Sequence, residues 1–447
     1  MTETQQLFEL LEKGVSPAHV VSTCAKRLSV AGFQELAYEY NWDLCAGGRY
    51  YIKHNATTLF AFTIPEKWEY FIEPQKQGAP HIRIAAAHTD FPCLRIKPAC
   101  DLKSNGYAQV NVEVYGGPIL NTWLDRPLGV AGRVALRSES VFSPDVYEFV
   151  SSKKITIPNL AIHMNREVNK GVELNKQTEL LPIVGLMGEE SDNEYFLNFL
   201  CKELEAQGCG FDVKKEDILD YELTIFNSEA PEFVGLSDEF ISASRLDNIN
   251  SCSALVSAII DSDRKSGMNM IALFDHEEIG SRSKQGAASI LLHDMIYRIL
   301  NQCKEMGIED ETALSLEGKI YTSMILSVDV AHGLHPNYVG KMDITNKPVL
   351  GKGFCIKEAC SQAYATDCEA VAIVEQICKA KEIPYQKFVN RSDVVGGGTL
   401  GSIASALLPV KTVDVGIPLL AMHSARELMA ESDQQALKDL VEAYFSL

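Results

Sequence analysis

Histidines, aspartates and glutamates, the side chains that ligate divalent cations or move protons, stand directly after short apolar runs in this sequence. His88 and Asp90 follow the run at 82–87, Glu277 and Glu278 follow 270–274, and Asp329 follows 323–328. His423 comes after 413–415, in Met422-His423-Ser424-Ala425-Arg426-Glu427. Asp247, in Ser244-Arg245-Leu246-Asp247-Asn248, lies in a loop that leads into a helix. Each is a weak signal alone, because a lone histidine is usually an ordinary residue and adjacent acids are usually a solvated face. Their shared placement is informative, since an open α/β sheet puts its functional crevice beyond the carboxyl ends of its strands. The carboxylates of Asp247, Glu278 and Asp329 together with one hydroxide balance two divalent cations when the histidines are neutral. Without cations those carboxylates would repel one another.

Zinc suits this mixture of imidazole and carboxylate donors, and manganese or cobalt could take the same set. Asp90, two residues beyond His88, could accept the imidazole's other N–H and fix its tautomer. Of the adjacent glutamates, one can face a metal while its neighbour faces the attacking water. We assign Glu278 as ligand and Glu277 as the catalytic base, with Asp90 completing the catalytic group. His332 and His335 follow Asp329 closely, and either could donate a hydrogen bond to a developing oxyanion, His332 being preferred. Gly396-Gly397-Gly398-Thr399-Leu400-Gly401 lacks the Gly-Lys-Ser/Thr ending of a phosphate loop, so it reads as a close backbone approach beside the site.

The elements that must position these residues follow from periodicity. Ser16 and Pro17 start an amphipathic helix to residue 28. Residues 50–64 alternate as strands, and 82–87 is a continuous apolar strand of the buried type. From 96 to 236 alternating strands dominate, as at 108–114 and 130–136, with a helix at 194–204. Beyond 236 the order becomes helix 249–260, strand 270–274, helix 288–306, strand 323–328, helix 369–380, strand 413–415 and a closing helix from Asp433. That alternation indicates an α/β sheet with helices on both faces. The early segment has too few strands to stand alone, so residues 1–95 join 237–447 in one domain and 96–236 form a β-rich insertion.

Composition narrows the partners. A chain of 447 residues exceeds the size of a single growing core, and 46% hydrophobic with 23% charged residues is ordinary for a soluble globular protein. A net charge of -19 with no lysine- or arginine-rich face excludes nucleic acid as an expected partner. No stretch is long and apolar enough to span a bilayer and the start has no leader pattern, so a cytoplasmic location is expected. The 12 cysteines show no C-x-x-C pair and read as reduced thiols.

The same residues, with their neighbours, resemble the aspartyl aminopeptidase family of di-zinc peptidases over essentially the whole chain. The resemblance is carried by Ala87-His88-Thr89-Asp90, by Asn159-Leu160-Ala161-Ile162-His163-Met164-Asn165-Arg166 and by Ser244-Arg245-Leu246-Asp247-Asn248. It continues in His276-Glu277-Glu278-Ile279-Gly280-Ser281, in the segment opening Asp329-Val330-Ala331-His332, and in Ala421-Met422-His423-Ser424. It implies that Asp247 bridges two zinc ions, with His88 and Asp329 on one side and Glu278 and His423 on the other, and that Glu277 is the base. It also implies an α/β, mixed-sheet exopeptidase-type catalytic domain, a β-rich dimerisation domain as its insertion, and a homo-oligomer, a closed dodecamer built from dimers. By the same resemblance His163 reaches a neighbouring subunit's site, and Lys357 is the cation that an acidic peptide residue needs. Alanine stands at 363, where many members carry arginine, which leaves a broader or neutral preference as the alternative. A carboxypeptidase or deacylase, and a non-catalytic assembly shell, are the other rivals.

Overall fold

The computed structural model describes residues 1–66, 80–187, 193–209, 212–264, 266–308 and 314–447. Its centre is a nine-stranded mixed sheet. The middle of that sheet is four parallel strands in the order Met268–Phe274, Ile82–His88, Met324–Val328 and Lys411–Gly416. Thr58–Thr63, Arg49–His54 and Gln34–Glu35 extend one edge, and Phe354–Glu358 with Tyr385–Val389 extend the other. The four middle strands are almost wholly buried because both of their faces are covered, and successive apolar residues serve opposite cores. Ala85, Ala87 and Leu273 pack with Leu7, Val20, Leu255, Val374 and Leu437 of the helices Glu3–Lys13, Pro17–Val30, Leu246–Asp261, Cys368–Lys381 and Glu431–Phe445. Ile84, Ala86 and Met270 pack with Met295, Ile320 and Ala404 of Leu291–Glu305, Leu316–Tyr321 and Leu400–Leu407.

Between Ile82–His88 and Met268–Phe274 the chain builds a six-stranded antiparallel sheet. Its order is Asp145–Val150, Leu128–Leu136, Ile218–Asn227, Cys93–Ser104, Tyr107–Tyr115 and Ile183–Leu186. The helix Tyr195–Ala206 packs Phe196, Leu200 and Leu204 against it. Its first strand starts at Cys93, three residues before the change of pattern at 96.

Two small sheets tie the site loops together. Phe240–Ala243 pairs with Glu427–Ala430, setting Ala243 opposite Glu427, so the loop before Asp247 lies beside the loop after His423. Ala331–His332 pairs with Pro418–Leu419 and draws the Asp329 loop to the same place. The helix expected at 288–306 begins at Leu291, because Ser289 folds back onto the Gly286 carbonyl in a turn of its own. No helix among the described residues is long and apolar enough to cross a membrane. None of the 12 cysteines forms a disulfide, and Cys24, Cys252 and Cys378 are buried.

Candidate metal centre

His88 ends its strand opposite Phe274, so the neighbouring strand delivers Glu277 and Glu278 to the same edge a few residues later. The imidazole is buried, and its Nδ1 donates to the main-chain carbonyl of Asp90 at 3.0 Å. Nε2 then points at Asp247 Oδ1 and Asp329 Oδ1, both at 3.5 Å. His423 repeats the arrangement. Its Nδ1 donates to the Gly117 carbonyl at 3.1 Å, and its Nε2 lies 3.3 Å from Asp247 Oδ2 and 3.5 Å from Glu278 Oε2. A carbonyl on Nδ1 fixes the tautomer that leaves the Nε2 lone pair free to ligate.

Asp247 stands at the first turn of Leu246–Asp261 but has non-helical φ −78° and ψ 105°, which turns it out of the helix toward both histidines. Donor atoms therefore form two groups that share it: His88, Asp247 and Asp329, and Asp247, Glu278 and His423, with the atoms of each group within 4.8 Å of one another. Asp247 Oδ1 and Glu278 Oε1 are buried and accept no hydrogen bond. Buried carboxylate oxygens without donors are costly unless a cation meets them. The donor set thus fits two divalent cations.

Asp90 behaves differently from the simple imidazole acceptor that the sequence suggested. Its carboxylate is 3.5 Å from His88 Nδ1, longer than the main-chain contact. It chiefly accepts the backbone N–H of Glu277 at 3.0 Å, that of Glu278 at 3.1 Å and the Tyr115 hydroxyl at 2.7 Å. Those bonds hold the short turn Glu277–Ile279, entered through His276 and left through Gly280, both with positive φ. Glu277 belongs to neither donor group, and its Oε2 lies 4.0 Å from His88 Nε2. Burial pushes its carboxyl up to about 8, with Asp329, Asp90 and Asp247 adding to the effect and His88 opposing it.

Burial would raise Asp329 too, but Lys357 and His88 hold it well below the usual carboxylate range. Lys357 is fully buried, donates to the Val330 carbonyl at 2.9 Å, lies 3.7 Å from Asp329 Oδ2 and sits 4.9 Å from the centre of the Tyr364 ring. Burial by itself would lower its pKa, yet Asp329 and Asp414 keep the ammonium above its ordinary value. It borders an open cleft of about 450 Å³ together with His332, Tyr364, Gly397, Gly398 and Met422. Among the described residues it is the lysine or arginine of that lining. Burial and the Lys357 charge lower the pKa of His332, whose ring packs edge-on to Phe388.

His163 does not join the cluster; it lies on an exposed turn outside the cleft lining. Glu427, at the end of the 422–427 segment, is a site residue that residue type alone did not single out. It is buried and accepts from Asp247 N at 3.1 Å and His423 N at 2.8 Å, so it ties the shared carboxylate to the last histidine. Its position four residues beyond His423 was the available signal. Tyr115 carried no sequence signal.

A family model described as aminopeptidase I zinc metalloprotease, M18, matches residues 10–445. The chain is 39% identical over 445 residues to a probable M18 family aminopeptidase 2 of Clostridium novyi, covering 99% of this chain and 98% of the relative. It is 38% identical over 442 residues to the protein of that description from Ectopseudomonas mendocina, covering 99% and 97%. Among solved structures it is similar to one described as the Ape4 and Nbr1 complex, with TM-score 0.91 and 31% identity over 99% of this chain and 85% of that one. Its fold is also similar to that of prApe1, with TM-score 0.87 and 24% identity over 99% and 93%.

Proposed function

The chain belongs to the M18 family of zinc metalloproteases, and from that membership we propose a two-zinc aminopeptidase that takes single residues, preferentially aspartate or glutamate, from the free N-terminus of peptides. The observation that carries this reading is the pair of donor groups sharing Asp247, with Glu277 beside them and outside both. His88, Asp247 and Asp329 would hold one zinc ion and Asp247, Glu278 and His423 the other, supplying Lewis acidity toward the first peptide carbonyl and a water of lowered pKa. Glu277 accepts a proton from the attacking water and returns it to the leaving amine. Asp90 fixes the direction of Glu277 through two backbone N–H groups. His332 donates to the oxyanion from the wall of the cleft. Lys357 supplies the positive potential that draws an acidic side chain into an otherwise acidic protein.

A specific observation favours a second preference. The Lys357 ammonium already faces the Val330 carbonyl, Asp329 and the Tyr364 ring, and a cation so satisfied gains little from a substrate carboxylate. Neutral first residues then compete. Peptide panels that differ only in the first residue decide between the two. The same panel with acetylated N-termini tests the exopeptidase reading itself: we expect cleavage of the free peptides alone, and equal cleavage of both forms removes it.

We further propose that residues 96–236 are a dimerisation domain inserted between 1–95 and 237–447, and that dimers build a dodecamer in the cytoplasm. The S. cerevesiae mApe1, similar in fold with TM-score 0.80, is described as a dodecamer. His163, on its exposed turn, would complete the site of a neighbouring subunit.

A further inference from the structure

We propose that Tyr115, Gly116 and Gly117, the end of one strand of the antiparallel sheet and the two residues after it, are a positioning device that imposes that sheet's geometry on the metal centre. The proposal rests on the two-zinc peptidase reading. Tyr115 closes the strand Tyr107–Tyr115 and pairs with Cys93, so its place is set by a sheet outside the nine-stranded one. Its hydroxyl donates at 2.7 Å to Asp90 Oδ2, the same oxygen that accepts the Glu278 N–H. The other oxygen, Oδ1, accepts the Glu277 N–H. Both of those N–H groups belong to the turn and move with it, whereas the Tyr115 hydroxyl comes from the antiparallel sheet, so it is the bond that ties the carboxylate, and through it the turn that carries the base, to that sheet.

The next two residues reach the second donor group. Gly116 has φ +70°, and a Cβ there would lie 3.2 Å from Glu278 Cβ and 3.5 Å from its Oε2. Glycine takes that conformation without steric cost and leaves room for the backbone to back the Glu278 side chain so closely. The Gly117 carbonyl accepts from His423 Nδ1 at 3.1 Å, and Ile119 N donates to the His423 carbonyl at 2.9 Å. Consecutive residues of one strand end thus bear on Asp90, Glu278 and His423, with the Tyr115 hydroxyl engaged by Asp90 and the Gly117 carbonyl by His423. The tripeptide is one route by which that sheet bears on the base and on the second donor group.

The test uses the full-length protein in its native assembly, loaded with zinc. Tyr115→Phe, which deletes only the hydroxyl, is expected to lower kcat roughly 10-fold, the effect of losing one hydrogen bond to a charged group, with KM and zinc retention against a chelator unchanged. Gly116→Ala is expected to release zinc at a roughly 10-fold lower chelator concentration while circular dichroism stays native, because the crowded Glu278 must shift. Wild-type kcat in Tyr115→Phe overturns the proposal, and so does a joint loss of kcat, KM and zinc, which marks a merely structural role. Should Gly116→Ala fail to fold, Tyr115→Phe alone decides. A Glu277→Gln control keeps the two readings apart: if that variant turns over normally the peptidase reading falls by itself, whereas an inactive Glu277→Gln beside a fully active Tyr115→Phe removes only the positioning role.

Discussion

Glu277 is the acid of the cluster best placed to work on a proton, since it stands outside both donor groups while the other carboxylates face the histidines. Replacing it by glutamine keeps the shape and the backbone bonds to Asp90 and removes only the basicity. We expect Glu277→Gln to bind zinc as the parent does and to lose roughly 100- to 10,000-fold in kcat, the range for a general base. Metal analysis beside steady-state rates checks both halves, and an undiminished rate assigns the proton transfer elsewhere. The residues that meet here were legible in the sequence because a metal ligand must come from a short list of side chains and because all but Asp247, which opens a helix, followed apolar runs. What was not legible was their support. Asp90 serves His88 with its carbonyl and spends its carboxylate on the Glu277 turn, and Glu427 reaches back across 180 residues of chain to Asp247 while also holding His423. Backbone acceptors have no residue-type signature, and the spacing of Glu427 from His423 pointed to its neighbourhood without giving its distant partner Asp247.

At the scale of elements, the continuous apolar strands and the long amphipathic helices were readable because burial on both faces, or on one stripe, dictates composition directly. The outer strands Phe354–Glu358 and Tyr385–Val389 were not, since their places depend on pairing with Lys411–Gly416 and with each other across long loops. That last strand shows how tightly element and site are joined. Asp329 N donates to the Val415 carbonyl at 2.9 Å, and a Cβ built on Gly416 would fall 1.3 Å from the Asp329 carbonyl oxygen. No rotamer relieves a clash with main chain, so the strand or the ligand must move. Gly416→Ala should therefore destabilise the fold by about 1–3 kcal/mol, the usual range for overpacking. It should also weaken zinc binding at the group containing Asp329. Denaturant melts and chelator titrations of the variant measure the two effects, and a variant with the parent's zinc affinity would show that Asp329 is held by something other than this strand crossing.

For the whole molecule, the change of pattern near residue 96 and its end near 236 marked a unit of different texture, and the antiparallel sheet occupies that stretch. The dimerisation role proposed for that stretch is tested on the surface around His163. Leu160, Ile162 and Met164 are 52%, 50% and 75% exposed beside it, an apolar cluster of the kind that marks a subunit contact. If His163 completes a neighbour's site, two inactive proteins can repair each other. In His163→Ala chains Glu277 is intact and in Glu277→Gln chains His163 is intact, so a mixed assembly contains sites that draw one from each. Random mixing in equal amounts makes about a quarter of all sites whole, provided each site takes its histidine from an adjacent subunit. We expect each variant alone to be at least 10-fold impaired and the dissociated, remixed and reassembled pair to regain up to about a quarter of parental activity, a gain absent when the proteins are mixed without dissociation. A histidine acting within its own chain, by contrast, leaves every site in the mixture lacking either the imidazole or the carboxylate, and no proportion of the two variants then restores the rate.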